Sequence, residues 1–207
     1  MVALLRVVYI HTGQRPILYA ILGLIGLSCL FCSYPVFSAS QTEAEEEPVI
    51  EEIVISTTTS HVILFARVNH CFTDEMLEGV RNGIPLTFRF DIRLNKIRNN
   101  WFDSELVIHK INHTMRYNPI KEEYQVAFAE KERPEFTRSL EEAKKMMADI
   151  DGLQLLPLSE LHVGSPYSLE IKATLVETTF PLSIHSIIPF ISLWNFETDW
   201  RTVEFTY

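Results

Sequence analysis

No aspartate or glutamate occurs before Glu43, and after Arg15 no charged side chain of either sign appears until that position. The uncharged stretch holds the apolar run ILYAILGLIGLSCLFCSYPVF, 21 residues from Ile17 to Phe37. About 20 apolar residues cross a bilayer core as a helix. Basic Arg6 and Arg15 before the run and acidic residues after it favour an N-terminus inside and an exported body. The run reads either as an uncleaved inner-membrane anchor or as a signal peptide. It is long for a secretory core, yet Ser38-Ala39-Ser40 offers small residues for cleavage before Gln41, and Pro35 would break a helix nearby. The expectation is therefore an inner-membrane protein with a periplasmic C-terminal domain, or a periplasmic protein if cut after Ser40.

Cysteine is nearly as scarce. Cys29 and Cys32 form a C-x-x-C, but both lie inside the apolar run, where nothing stabilises a thiolate. Neither sits in a lipoprotein box, since Gly26 stands before Cys29 where an aliphatic side chain would be needed. That leaves Cys71 alone in the body. An internal disulfide framework is excluded, and the fold has to be held by its core.

Basic residues are outnumbered, 18 to 27, for a net charge of −9. Only Arg6 and Arg15 precede residue 40, so the remainder carries 16 basic against 27 acidic residues, or −11. So acidic a body is repelled by phosphate backbones and anionic lipid headgroups, which argues against nucleic-acid binding. The chain also lacks G-x-S-x-G, H-E-x-x-H, a P-loop and G-x-G-x-x-G. No cofactor is implied, and the reading leans away from an enzyme.

What is present is alternation. In LTFRFDIRL, Leu86, Phe88, Phe90, Ile92 and Leu94 alternate with Thr87, Arg89, Asp91 and Arg93. That period of two predicts a strand with one face in a core and one in water. SLEIKATL repeats the device through Leu169, Ile171, Ala173 and Leu175. Tyr124, Val126 and Phe128 mark a strand after the Asn118-Pro119 turn, and weaker strands are expected at 50–57, 61–68 and 105–117. The chain closes on Val203, Phe205 and Tyr207 alternating with Thr202, Glu204 and Thr206, a final half-buried strand, with Pro189, Trp194 and Trp200 as core anchors leading into it. Two helices interrupt the strands. One follows a capping Thr73 and stops at Gly83; the other opens on a Ser139–Glu142 capping box, buries Leu140, Ala143, Met147 and Ile150, and ends at Asp151-Gly152.

The expected fold is mainly β: an antiparallel, sandwich-like domain of about seven or eight strands with one or two packed helices, preceded by the N-terminal transmembrane or signal helix. The domain plan is a signal or transmembrane segment over 1–40, an acidic tether (QTEAEEEP) over 41–49, and an exported β-rich domain over 50–207. A terminal aromatic strand also suits a small outer-membrane barrel, but the capped helix and the charged strand faces weigh against one.

Three segments, GIPLTFRFDIRLNKIRNNWFD (Gly83–Asp103), YNPIKEEYQV (Tyr117–Val126) and PFISLWNFETDW (Pro189–Trp200), resemble the bacterial envelope family known as domain-of-unknown-function family 4390. The similarity covers about residues 50–205. The resemblance implies an exported or inner-membrane-anchored protein with a link to envelope signalling. It implies no activity and carries over no catalytic residues.

The candidate sites follow from residue types. Arg93, Lys96 and Arg98 with Trp101 form a basic and aromatic stretch suited to a partner contact, since Arg and Trp are common interface anchors. Read blandly, the same stretch is a solvated strand end, with Asn99-Asn100 as the bend and Trp101 returning to the core. His109 and His113 share one strand face and could supply half of a zinc site, with His70 and Cys71 the tempting completion; a histidine on an apolar face is more often a satisfied core group. Asp103 and Asp199 are acids beside tryptophans, without a companion nucleophile. The leading function is a binding module with an unknown envelope protein as partner, attached to the inner membrane through Ile17–Phe37 if uncleaved. A metal-assisted periplasmic hydrolase and the small barrel are the alternatives.

Overall fold

The alternation of Leu86–Leu94 is realised as a strand whose even-numbered side chains are all buried and whose Arg89 and Arg93 are exposed. Strand β3 (Leu86–Lys96) pairs antiparallel with β4 (Ser104–Asn118) on one side and β8 (Pro166–Leu175) on the other. The structure, a computed structural model, describes residues 46–98, 102–176 and 196–207. The apolar run Ile17–Phe37, the Asn99-Asn100 bend, Trp101, Pro189 and Trp194 lie outside the described residues.

Around β3 the large sheet runs β6 (Glu135–Thr137), β5 (Glu123–Phe128), β4, β3, β8, β9 (Arg201–Thr206). A second sheet runs β1 (Val49–Thr57), β2 (His61–Asn69), β7 (Asp149–Pro157). Every pairing is antiparallel. The small sheet packs across the inner face of the large one, β1 near β8 and β7 near β4. Helix α1 (Asp74–Arg81) covers β4, and helix α2 (Leu140–Ala148) covers β4, β5 and β6. The result is a mainly β, two-layer fold of nine described strands, with two helices filling the layer that the short sheet cannot cover. The large sheet does not close, since β6 and β9 stand at its two ends, so the described strands do not form a barrel. Among the described residues no helix is long and apolar enough to cross a membrane.

Seven of the nine strands fall where alternation places them; β6 and β7 do not. The start of β7 (Asp149–Pro157) was expected as a helix end, with Ile150 on the helix's apolar face and Asp151-Gly152 as its stop. Instead α2 ends at Ala148 and the chain turns directly into β7, where Ile150 pairs with Ala66 and is buried as a strand residue. Two irregularities in the β2–β7 register disturb the period of two, so Leu153, Leu155 and Leu156 are all buried and the segment does not alternate in sequence. Gly152 belongs to this strand, with φ +74°, and the Phe65 ring lies 3.7 Å from where a Cβ would stand.

Helix ends follow their caps. The Thr73 hydroxyl accepts from the Met76 N–H, and α1 ends in a Schellman arrangement: Ile84 N–H to Gly79 O and Gly83 N–H to Val80 O, with Gly83 at φ +88°. At α2 the Ser139 hydroxyl accepts from the Glu142 N–H, but the reciprocal half of the capping box is relayed. The Thr137 hydroxyl donates to the Glu142 carboxylate and accepts from the Ser139 N–H.

The core runs through Phe88, Phe90, Ile92, Met115, Met147, Tyr167 and Leu169, all fully buried. Each such side chain contributes about 1.5–3 kcal/mol by leaving water. Truncating Phe90 to Ala should therefore destabilise the domain by about 3–5 kcal/mol, whereas Arg89→Ala, one residue away on the exposed face, should change stability by no more than about 0.5 kcal/mol. Urea unfolding of the two variants checks this. Equal losses would mean that β3 does not present the faces described.

Candidate functional site

The outer face of the large sheet is covered by no described element. On β3, β4 and β8 it presents Arg89, Arg93, Lys110, Arg116 and Lys172 against Asp91, Glu105 and Glu170, five basic side chains to three acidic. The three central strands are thus positive on a body that is strongly negative, with the acidic Glu123, Glu197 and Glu204 flanking them on the same face. Its charges are knitted together: Arg89 Nε bonds Asp91 at 3.0 Å, Lys110 lies 3.8 Å from Asp91 and Arg93 lies 4.0 Å from Glu170. Lys172 pairs with Glu197.

Trp200 completes the patch. It was expected as a core anchor, yet it is 38 % exposed. The Phe196–Arg201 segment explains the difference, because its side chains alternate across the sheet edge only as far as Thr198. Phe196 is buried edge-on against Phe88 at 4.7 Å, Glu197 points out to Lys172, and Thr198 is buried with its hydroxyl accepting from Ala173 N–H. Trp200 has the parity of the buried Phe196 and Thr198, but the alternation breaks before it and the ring lies on the outer side, where the Arg93 guanidinium is 4.4 Å from its centroid and the Lys172 ammonium 5.8 Å. A cation held over an indole is favourable by about 0.5–1 kcal/mol at an exposed site, and it keeps the ring at the surface.

Of the expected basic cluster, Arg93 belongs to this patch. Lys96 stands three residues further along the same strand and so has the parity of the inner face, at the sheet's end opposite Tyr167. Arg98 lies beyond the strand, exposed, with its backbone N–H donating to Asp103. Arg93 and Lys96 therefore point to opposite sides of the sheet. Arg89, Lys110 and Lys172 were not singled out as site residues by sequence reasoning, and Trp200 was read as a core anchor. The outward series from Arg89 to Arg93 was legible in the alternation; the approach of Trp200 was not.

On the inner side, His109 and His113 do share a face, and both rings are engaged by the protein. His109 Nε2 donates to Leu155 O at 2.8 Å. His113, fully buried, donates from Nδ1 to Met147 O at 3.0 Å and places Nε2 2.8 Å from Glu130 Oε1. His70 instead pairs with Glu46, and the buried Cys71 thiol points to Val68 O. Burial pushes that thiol up to about 12, far from thiolate chemistry. Among the described residues no group of three or more His, Cys, Asp or Glu side chains is placed to hold a metal ion.

A groove of about 410 Å³ runs between α2 and the outer side of the small sheet, lined among others by Phe65, Arg67, Phe128, Lys131, Lys145 and Met146. Arg67 is its fixed centre. Nε and Nη2 grip the Asp149 carboxylate at 2.7 and 3.1 Å, and Nη1 reaches Glu52 at 2.8 Å. Asp199 lines a separate hollow of about 600 Å³ with Glu47 and Arg201.

The family model for Domain of unknown function (DUF4390) matches residues 45–204. The chain belongs to this family. The match spans the chain from just before β1 into β9, so the matched residues include both helices and all but the end of the two sheets. No curated protein and no solved structure is similar enough to match.

If Arg93 stacks on Trp200 as described, Arg93→Ala should destabilise by about 0.5–1 kcal/mol, and the loss should vanish in a Trp200→Leu background. A double-mutant cycle read by chemical denaturation checks it. Full additivity of the two substitutions would show that the pair is not coupled.

Proposed function

We propose that this member of the DUF4390 family is a non-catalytic binding module of the bacterial cell envelope that docks a protein partner on the outer face of its large sheet. The observation that carries this reading is the patch around Trp200. A tryptophan is kept at the surface by Arg93 and Lys172, at the β8–β9 side of a face that no described element covers. Trp and Arg are the side chains that most often anchor protein interfaces. The local positive balance favours a partner with an acidic contact surface, because the rest of the body repels one.

The uncharged run Ile17–Phe37 behind Arg6 and Arg15 supports placement at the inner membrane with the β domain in the periplasm, or release into the periplasm after Ser40. A tethered module of this kind suits the relay of an envelope signal through its partner.

Cells making the full chain should yield a product whose intact mass and fractionation show export. A photoreactive side chain at position 110 should then capture a partner in the envelope fraction. Reversing both charges, with Arg93→Glu and Lys172→Glu, should abolish that crosslink while shifting the melting temperature by no more than a few degrees. A crosslink that survives both reversals in a folded protein would overturn the assignment of this face.

A further inference from the structure

The pair formed by His113 and Glu130 is a buried element that the outer face does not use. Its partners come from three places in the chain, since Glu130 is 17 residues and Met147 is 34 residues from His113. A carbonyl can only accept, so the bond to Met147 O fixes a proton on Nδ1. Nε2 then faces a carboxyl oxygen, and two arrangements satisfy that contact: an imidazolium donating to a carboxylate, or a neutral imidazole accepting from a carboxylic acid. Oε2 of Glu130 is buried without a hydrogen-bond partner among the described residues. Burial alone pushes the Glu130 carboxyl up, but the hydrogen bond and charge of His113, its own backbone N–H and Lys131 outweigh this and hold it below the usual carboxylate range. In either arrangement the 2.8 Å contact needs one proton between Nε2 and Oε1, and the geometry of an imidazole already donating from Nδ1 allows that proton to sit on Nε2 facing a carboxylate.

The other charges near the pair are already engaged or stand at the groove. Lys131, on the loop of Glu130, bonds Glu135 of β6; on α2, Glu142 is held by Thr137, and Lys145 lines the groove. On β4 His109 is bound to Leu155 O, and on β7 Asp149 is held by Arg67. The ring itself packs against Phe90, tilted, and Phe128, edge-on, with centroids at 4.8 and 4.9 Å. Phe128 in turn is a wall of the groove, with Lys131 above it at 4.2 Å.

The position of Met147 gives the pair its leverage. It sits in the last turn of α2, two residues before Asp149, where the chain crosses from the helix covering the large sheet into the small one. We infer that His113 and Glu130 form a proton-controlled latch, in which the doubly protonated imidazole ties the α2–β7 joint to the large sheet and loss of its second proton loosens α2 beside the groove. Without that proton, two lone-pair-bearing atoms face each other in a buried site, where the repulsion is poorly screened. Acid opens the latch from the other side. The folded-state value of Glu130 is depressed, so its contribution is complete above the unfolded carboxylate value and is lost as pH falls through the folded one.

The test uses the full chain labelled with ¹⁵N-histidine, with His113→Gln serving only to assign the ring signals. At neutral pH both ring nitrogens of His113 should report protonation. As pH rises and Nε2 loses its proton, protection of the α2 amides, corrected for intrinsic exchange, should fall about tenfold or more. Glu130→Gln keeps the fold, because an amide both donates and accepts, and it should remove the pH step in α2 protection. The latch is refuted if the ring is neutral while Glu130 is ionised, or if it keeps both protons until the whole domain unfolds. It is equally refuted if α2 protection is the same before and after the titration.

Discussion

Strand β3 is bonded on both sides for most of its length, to β4 from Leu86 to Lys96 and to β8 from Phe88 to Lys96, and the other elements take their positions from that double pairing. Side chains in a pleated sheet alternate with period two, so two flanking registers on one strand fix the inward set for three strands at once. Phe90 lies in a row with Ile111 and Ala173, and Ile92 in a row with His109 and Ile171. A slip of one residue in either pairing would bury Arg89 and Arg93 and expose two phenylalanines. The penalty on both sides of β3 is what makes the register unique, without a disulfide to assist it.

The inner face so defined is too broad for a three-stranded sheet. The small sheet spans β8 to β4, and the remaining width over β5 and β6 is filled by α2. This gap explains why the helix passes into β7 without a loop: one chain segment has to bridge from the large sheet's far edge to the small sheet. The joint is secured on both sides by polar groups, Arg67 gripping Asp149 from β2 and His113 reaching Met147 from β4. Polar anchors at a single crossing give directionality that apolar packing lacks, since dispersion and burial are indifferent to small sliding motions.

What could be read in the sequence follows the same physics. Strands with one face buried and one wet announce themselves, and Leu86–Leu94 and Leu169–Leu175 were legible residue by residue. β7 was not, because its bulges bury consecutive leucines and because a strand that follows a helix without a break looks like more helix until Gly152. β6 is three residues long, below the span at which any period is visible. Trp200 was misplaced because an aromatic beside a strand is ambiguous from sequence alone; the cations that hold it outside are 107 and 28 positions away. The shared face of His109 and His113 was predictable from a spacing of four. Their partners, two carbonyls and a carboxylate on other elements, were not.

Strand β4 carries both of the surfaces to which function has been attached. From Ile108 onward its even-numbered side chains, Lys110 and Arg116 among them, stand on the positive outer face, and its odd-numbered side chains include His109 and His113 on the inner one. Strict alternation separates the two chemically, since a substitution at Lys110 leaves the buried pair in place and Glu130 is not part of the outer face. It does not separate them mechanically. β4 is bonded to β3 along the patch and to β5 beside the latch, so α2 and the docking face rest on opposite sides of one continuous strand. A partner that tightened the outer face would stiffen the strand from which His113 projects, and release of the joint would remove the inner support of the strand that presents Lys110. Coupling between the two sites requires no wire of residues across the core, only the strand that both share.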